Sequence, residues 1–273
     1  MRAASGAKPA ILPRMADTVI VTGASRGIGR ALALAFAKEG HPLVVAARSG
    51  KELAALADLV REQHRVECLP VAGDLGTFDG RRQLEAACAG LKIQGLVNNA
   101  GFGTAGRFDR TDRERDTEMI RLNVEALTDL CHTFVPRLKQ GPGAFLLNVA
   151  STASFQPIPL FAAYAATKAY VLSLSEALAH ELEPDGVHVL ALCPGATESG
   201  FQAAADVTLP QGAPQAEEVA AFALKMLAKK KRVAVHGGKS SFLAFSVRFA
   251  PRRMVLKSAE RVMQPWFAGR PKS

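Results

Sequence analysis

The chain has 273 residues, of which 48% are hydrophobic, and carries a formal charge of +9. That length and apolar content suit one large α/β unit and exclude a disordered or disulfide-stapled chain. No apolar run approaches the ~20 residues of a membrane span, and the N-terminus lacks the apolar core of a secretory signal.

Residues 1–14 contain Arg2, Lys8 and Arg14 and no acid, and read as a disordered arm or an extension ahead of a body spanning 15–238. Asp17–Thr22 reads as a buried strand running into Gly23-Ala-Ser-Arg-Gly-Ile-Gly29, with a helix over Arg30–Glu39 closed by Gly40. Strand, glycine turn and helix form the setting of a dinucleotide cradle, whose helix N-terminus favours phosphate. Gly23 permits a tight turn, Gly27 permits close approach of a pyrophosphate, and Gly29 permits helix–strand packing. Ser25, Arg26 and Ile28 belong to the same cofactor-binding turn.

The second strand, Leu43–Ala47, ends without the Asp or Glu that holds a ribose 2′-hydroxyl in NAD-binding units. Arg48 follows instead, and Arg26 stands in the turn. Two guanidinium groups suit a 2′-phosphate, hence NADP(H), against the alternative of two solvated arginines. Helix Lys51–Gln63 leads to strand Val66–Val71 and then to Asp74 and Leu75. Asp74 is placed either to accept from an adenine amino group or to cap the helix beginning at Phe78. A helix over Asp79–Ala89 precedes strand Lys92–Val97 and Asn98-Asn99-Ala100-Gly101. Small residues there leave room for a ribose, or the Asn side chains serve neighbouring backbone groups.

Asp112–Lys139 reads as a long helical stretch carrying Asn123 on the face of Leu127 and Leu130. Strand Ala144–Ala150 ends at Ser151. The helix Ala162–Leu182 sets Tyr164 and Lys168 four apart, on one face. An ammonium beside a phenol favours phenolate and lowers the phenol from its usual ~10 toward neutrality. A phenol so tuned passes a proton to or from a substrate oxygen that the Ser151 hydroxyl holds.

Strand Val187–Cys193 ends at Pro194-Gly195, and a loop over Ser199–Pro214 is placed to cover a substrate. Helix Gln215–Lys230 and strand Val233–His236 complete about seven strands. Strands alternating with helices imply a Rossmann-type, doubly wound parallel sheet. Gly23, Arg48, Asp74, Asn99, Ser151 and Pro194 all follow strand ends, so they converge on one rim, where such sheets bind ligands.

Cys68, Cys88, Cys131 and Cys193 are scattered without metal-ligand spacing, so no metal is expected and a reduced, cytoplasmic setting is. Thirteen of the 34 basic residues but only one of the 25 acids, Glu260, lie in Lys225–Ser273. The basic surplus therefore belongs to the tail, 239–273, and nucleic acid is not an expected partner. Within that tail Ser240–Phe267 interleaves apolar and basic residues and is split by Pro251, which predicts two short amphipathic helices. They either pack on the body and cover the substrate cleft or attach peripherally to an anionic membrane surface.

Together these segments resemble the short-chain dehydrogenase/reductase family over roughly Asp17–Gly200. Thr22–Gly29 is similar to its T-G-x-x-x-G-x-G turn, Asn98–Gly101 to its N-N-A-G motif and Pro194-Gly195 to its P-G motif. The Asn–Ser–Tyr–Lys tetrad of the family falls on Asn123, Ser151, Tyr164 and Lys168. Phe102–Phe108 further resembles the DltE-like or ketoacyl reductase-like subgroup. The resemblance implies an NADPH-preferring enzyme with Tyr164 as acid/base and Ser151 polarising the substrate oxygen. It also implies Lys168 on the nicotinamide ribose, Asn123 holding a relay water, and Pro194, Gly195, Thr197 and Ser199 near the nicotinamide. A homodimer or homotetramer through the Asn123 and Tyr164 helices is likewise implied. The expected reaction is reduction of a lipophilic ketone or aldehyde, the lipophilic wall being Phe102, Phe108, Phe155, Ile158, Phe161 and Phe201. The rival readings are alcohol oxidation with NADP and an NADPH-sensing module without catalysis.

Overall fold

Strands buried on both faces need apolar residues at successive positions, and the runs Val19–Val21, Leu43–Ala46, Leu146–Leu147 and Val189–Cys193 supply them. A computed structural model describes residues 17–205, 207–208, 212–247, 249–263 and Trp266. The arm over residues 1–14 lies outside them, as does part of the tail.

The described strands are β1 (Thr18–Thr22), β2 (Leu43–Ala47), β3 (Cys68–Ala72), β4 (Ile93–Asn98), β5 (Phe145–Val149), β6 (His188–Cys193) and β7 (Val233–Val235). They form one parallel sheet in the order β3-β2-β1-β4-β5-β6-β7. Strand order reverses between β1 and β4, which opens a crevice at their carboxyl ends.

Alternate residues feed two cores. Val19, Val21, Val45, Leu147, Leu190 and Leu192 pack under α1 (Gly27–Lys38), α2 (Gly50–His64) and, later in the chain, the helix Ala216–Ala228. Ile20, Val44, Leu96, Leu146, Val189 and Ala191 pack on the opposite side, under α3 (Phe78–Ala87) and the two long helices that follow. The stretch Asp112–Lys139 is not one regular helix. It is α4 (Arg113–Ile120), a π-helical turn over Arg121–Ala126 that contains Asn123, and α5 (Leu127–Leu138). A short 3-10 turn, Thr152–Phe155, separates β5 from α6 (Ala162–Glu181).

The segment expected to be loop after Ser199 contains α7 (Phe201–Ala205). The helix Ala216–Ala228 is α8, and the tail forms α9 (Gly238–Ser246) and α10 (Arg252–Met263), with Pro251 between them. No helix of the described residues is long and apolar enough to cross a membrane.

Candidate active site

The β1 and β4 ends are tied together before any ligand is considered. Thr22 Oγ1 donates to the Val97 carbonyl at 3.1 Å and accepts from the backbone N–H groups of Asn99 and Ala100, each at 3.0 Å. The Asn99 side chain donates to the carbonyls of Thr22 (2.9 Å) and Gly23 (3.2 Å). Asn99 therefore serves the backbone of the glycine turn while still lining the crevice.

Helix α1 begins at Gly27, three residues earlier than the sequence suggests, so the glycine segment is turn and first helical turn together. Gly23 and Gly27 have φ of +65° and +54°, a region that side chains rarely adopt. A Cβ on Gly29 would run into the Asn99 side chain and the Gly23 carbonyl, and one on Gly27 into the Ser199 carbonyl. The cradle is thus glycine-dependent on both its inner and outer sides.

A single cavity of about 760 Å³ runs from this turn to the tail. Of the cofactor-binding residues expected from sequence, Gly23, Ser25, Arg26, Ile28, Arg48, Asp74, Leu75, Asn99, Pro194, Gly195, Thr197 and Ser199 line it, together with Ser151, Tyr164 and Lys168. Gly27, Gly29 and Asn123 do not; they shape it from behind. Arg26 and Arg48 are exposed, and among the described residues neither is in an ion pair. Both guanidinium groups remain available at the rim. Asp74 Oδ1 accepts from Gly76 N–H at 2.9 Å, while Thr77 caps α3. Leu75 is buried, and its carbonyl accepts from the buried Arg81, which also bridges Glu125 (2.9 Å) and Asp129 (2.6 Å). Arg81 thereby fastens the Asp74–Leu75 corner to the π-turn and α5.

Ser151 sits at the tip of β5 and caps the 3-10 turn, its Oγ accepting from Ala153 N–H at 3.1 Å. Tyr164 and Lys168 project from the first turns of α6. Lys168 is buried, and its Nζ donates to the Val149 carbonyl at 2.8 Å. The expected lowering of the phenol is not what the structure gives. Burial pushes Tyr164 up to about 12, and the hydrogen-bonded Ser151 side chain only opposes it. Burial also drives Lys168 down to about 8, with the Cys193 thiol acting weakly the other way. Both groups pay for desolvation in the same pocket, so neither charged form is favoured in the bare cavity. Cys193 itself is a buried strand residue whose thiol burial raises to about 12.

Asn123 is buried behind this pair. Its Nδ2 donates to the Phe102 carbonyl (2.9 Å) and Thr167 Oγ1 (3.1 Å), and its Oδ1 accepts from Phe102 N–H (3.1 Å). Thr167 in turn donates to the Tyr164 carbonyl at 2.8 Å. The amide clamps the loop after β4 to the helix bearing Tyr164 and Lys168. Both its donors are spent, which leaves one acceptor position on Oδ1.

Beyond Tyr164 the cavity is largely apolar. Phe102, Ile158, Phe161 and Phe201 line it as expected, whereas Phe108 is exposed and Phe155 packs into the core beneath α3, α5 and α6. The remaining wall comes from the tail: Leu243 and Ala244 of α9, Val262 and Met263 of α10, and Trp266, whose ring meets Phe161 edge-on at 6.1 Å. Arg115 also faces the cavity and lies 4.0 Å over the Phe102 ring. Sequence alone did not single out Arg115; its pattern is that of any charged residue in an exposed helix. Among the described residues no group of His, Cys, Asp and Glu is arranged to hold a metal ion.

The donor set and shape fit a dinucleotide: a glycine cradle that a Cβ would fill, backbone N–H groups at a helix start, and two unpaired guanidinium groups at the rim. Comparison with known proteins points the same way. A family model described as short chain dehydrogenase matches residues 17–209. The chain is 30% identical over 179 residues to very-long-chain 3-oxoacyl-CoA reductase-B of Danio rerio, a match covering 64% of this chain and 58% of that reductase. It thus spans less than two thirds of that relative's own length. A short-chain dehydrogenase from Sphingobium yanoikuyae in complex with NADPH superposes with a TM-score of 0.78 at 32% identity, covering 85% of this chain and 94% of that one. A bulky-bulky ketone specific alcohol dehydrogenase from Comamonas testosteroni gives 0.76 at 31% identity, covering 86% and 93%.

Proposed function

The chain belongs to the short-chain dehydrogenase/reductase family, and from that premise we propose that it is an NADP(H)-dependent reductase of a bulky, lipophilic ketone or aldehyde. The observation that carries this reading is one cavity joining a glycine cradle rimmed by Arg26 and Arg48 to an apolar chamber, with Ser151, Tyr164 and Lys168 at the junction. The relatives support the cofactor and the bulk of the substrate by their own descriptions.

In this reading Gly23, Ser25, Arg26, Ile28, Arg48, Asp74, Leu75 and Asn99 hold the adenosine and phosphate parts. Lys168, Pro194, Gly195, Thr197 and Ser199 hold the nicotinamide part. The bound cofactor supplies hydride to the carbonyl carbon. The protein's own share is the proton and the placement of the oxygen. Ser151 donates a hydrogen bond to the substrate oxygen and fixes it beside Tyr164, and Tyr164 then gives its phenolic proton to that oxygen. A phenol raised to about 12 is fully protonated at neutral pH, the form needed for donation. Alcohol oxidation would use the same residue in reverse, from the phenolate, and the net direction follows the ratio of reduced to oxidised cofactor. Lys168, one turn further along α6 and buried, is assigned to stabilise the phenolate left behind once the proton has gone. Asn123 is a positioning residue that locks the Phe102 loop against α6.

Exposed Ile120 and Tyr170 on the Asn123 and Tyr164 helices support a homodimer or homotetramer through those helices. The deciding experiment pairs cofactor binding with turnover on a panel of bulky aryl and alkyl ketones. Tyr164→Phe is expected to bind NADPH as the unaltered chain does while losing at least about 100-fold in turnover. Retained activity would sink the assigned proton donor. NADPH binding with no oxidation across the panel would favour a sensing module instead.

A further inference from the structure

Helices α9 and α10 each turn one face to the cavity and leave the other uncovered. On α9 Ala244 is buried, but Phe242 is 71% exposed, Phe245 59%, and Phe249, just past the helix, 76%. The rings of Phe245 and Phe249 meet edge-on at 5.2 Å, so they form a cluster rather than scattered side chains. On α10 Val255 is buried while Met254 is exposed. Arg253, Lys257 and Arg261 recur every four residues along its outer face, and all three are exposed. Between Gly238 and Met263 the one acid is Glu260. Among the described residues, Arg253, Lys257 and Arg261 take part in no ion pair.

Folded chains rarely leave such an aromatic cluster in water unless something covers it. The cover must accept phenylalanine rings on α9 and a line of cations on α10. We propose that the outer face of α9–α10 docks on an anionic lipid bilayer. The rings enter the boundary between headgroups and acyl chains, and Arg253, Lys257 and Arg261 meet lipid phosphates. A second copy of the chain fits less well, because a two-fold contact sets a patch against itself and would bring two basic lines together. Duplex nucleic acid would satisfy the cations and leave the rings in water. The inference is independent of the catalytic reading, since Phe242, Phe245 and Phe249 do not line the cavity.

The test is co-sedimentation of the full chain with vesicles of phosphatidylcholine alone or mixed with phosphatidylglycerol, at low and high salt. Pelleting is expected with the mixed vesicles only, and is expected to weaken as salt screens the charges. The combined change Phe242→Ser, Phe245→Ser and Phe249→Ser should lower vesicle partitioning about 10-fold or more while NADPH binding stays unchanged, which certifies the fold. Lys257→Glu with Arg261→Glu should do the same by charge alone. Three results would overturn the proposal: no phosphatidylglycerol-dependent pelleting, equal pelleting of the triple-serine variant, or a solution oligomer that the triple-serine change dissociates by light scattering.

Discussion

At the scale of single residues, the pairing of Tyr164 with Lys168 is legible from a four-residue spacing, and the reach of Ser151 from its place at a strand end. The ionisation of the pair is not legible. Spacing reports that an ammonium is near, but says nothing of how much water both groups lose, and burial dominates here. A protonated phenol at neutral pH has a kinetic consequence. Ketone reduction should hold steady through the neutral range, and oxidation of the corresponding alcohol should climb with pH as the phenol begins to ionise. Rate–pH profiles in both directions check this. The two rim arginines make a second residue-scale case. Arg48→Glu combined with Arg26→Ala should shift kcat/KM from NADPH toward NADH by about 10-fold or more, since a paired phosphate contact is lost and a like charge is added. An unchanged preference would show both guanidinium groups to be solvent ornaments.

Elements were read from sequence with uneven success, and the misses have physical causes. The strands stood out because both faces are apolar. Helix α1 starts early because Gly27, though left-handed in φ, opens the helix rather than ending the turn. The π-turn at Arg121–Ala126 is invisible in hydrophobic spacing, because one extra residue shifts the apolar stripe by less than its own width. Yet that turn delivers Asn123 to Phe102 and Thr167. Spacing leaves Asn99 open between ribose room and backbone service; its side chain ties the glycine turn while lining the crevice. Gly27→Ala tests the turn as an element. The added methyl faces the Ser199 carbonyl in a backbone region costing about 1–2 kcal/mol for a side chain. A lower melting temperature together with weakened NADPH binding is expected; a change in neither would mean that the Ser199 segment yields freely.

Across the whole molecule, the convergence of six strand ends on one rim was readable because βαβ units share a single handedness. Their shared cavity, and the wall that α9 and α10 add to it, was not, because helix placement beyond the sheet depends on packing that spacing does not encode. Global stability also carries a prediction. Burial raises Cys68 and Cys88 to about 11 and Cys131 and Cys193 to about 12, from an ordinary 9.0. The unfolded chain then releases these four protons above pH 9 while the folded chain keeps them, so stability falls as pH rises. Lys168 works in reverse. Its folded value near 8 lies below the unfolded 10.5, so its penalty is relieved between those limits. The four thiols, joined by Tyr164 above pH 10, outweigh the one ammonium, so the net effect is a loss of stability as pH rises above about 9. Thermal melts in a reductant from pH 8 to 11 should show a steep decline above pH 9, and a flat profile would contradict it.

The tail contributes a detachable partition. The glycine cradle and the residues proposed as proton donor and oxygen clamp all precede Gly200, whereas the far chamber borrows part of its boundary from the last two helices. Chains sharing this body but carrying other endings would run the same chemistry on differently sized molecules. Grafting a foreign ending onto Val235 would reshape the far chamber and leave Ser151, Tyr164 and Lys168 in place.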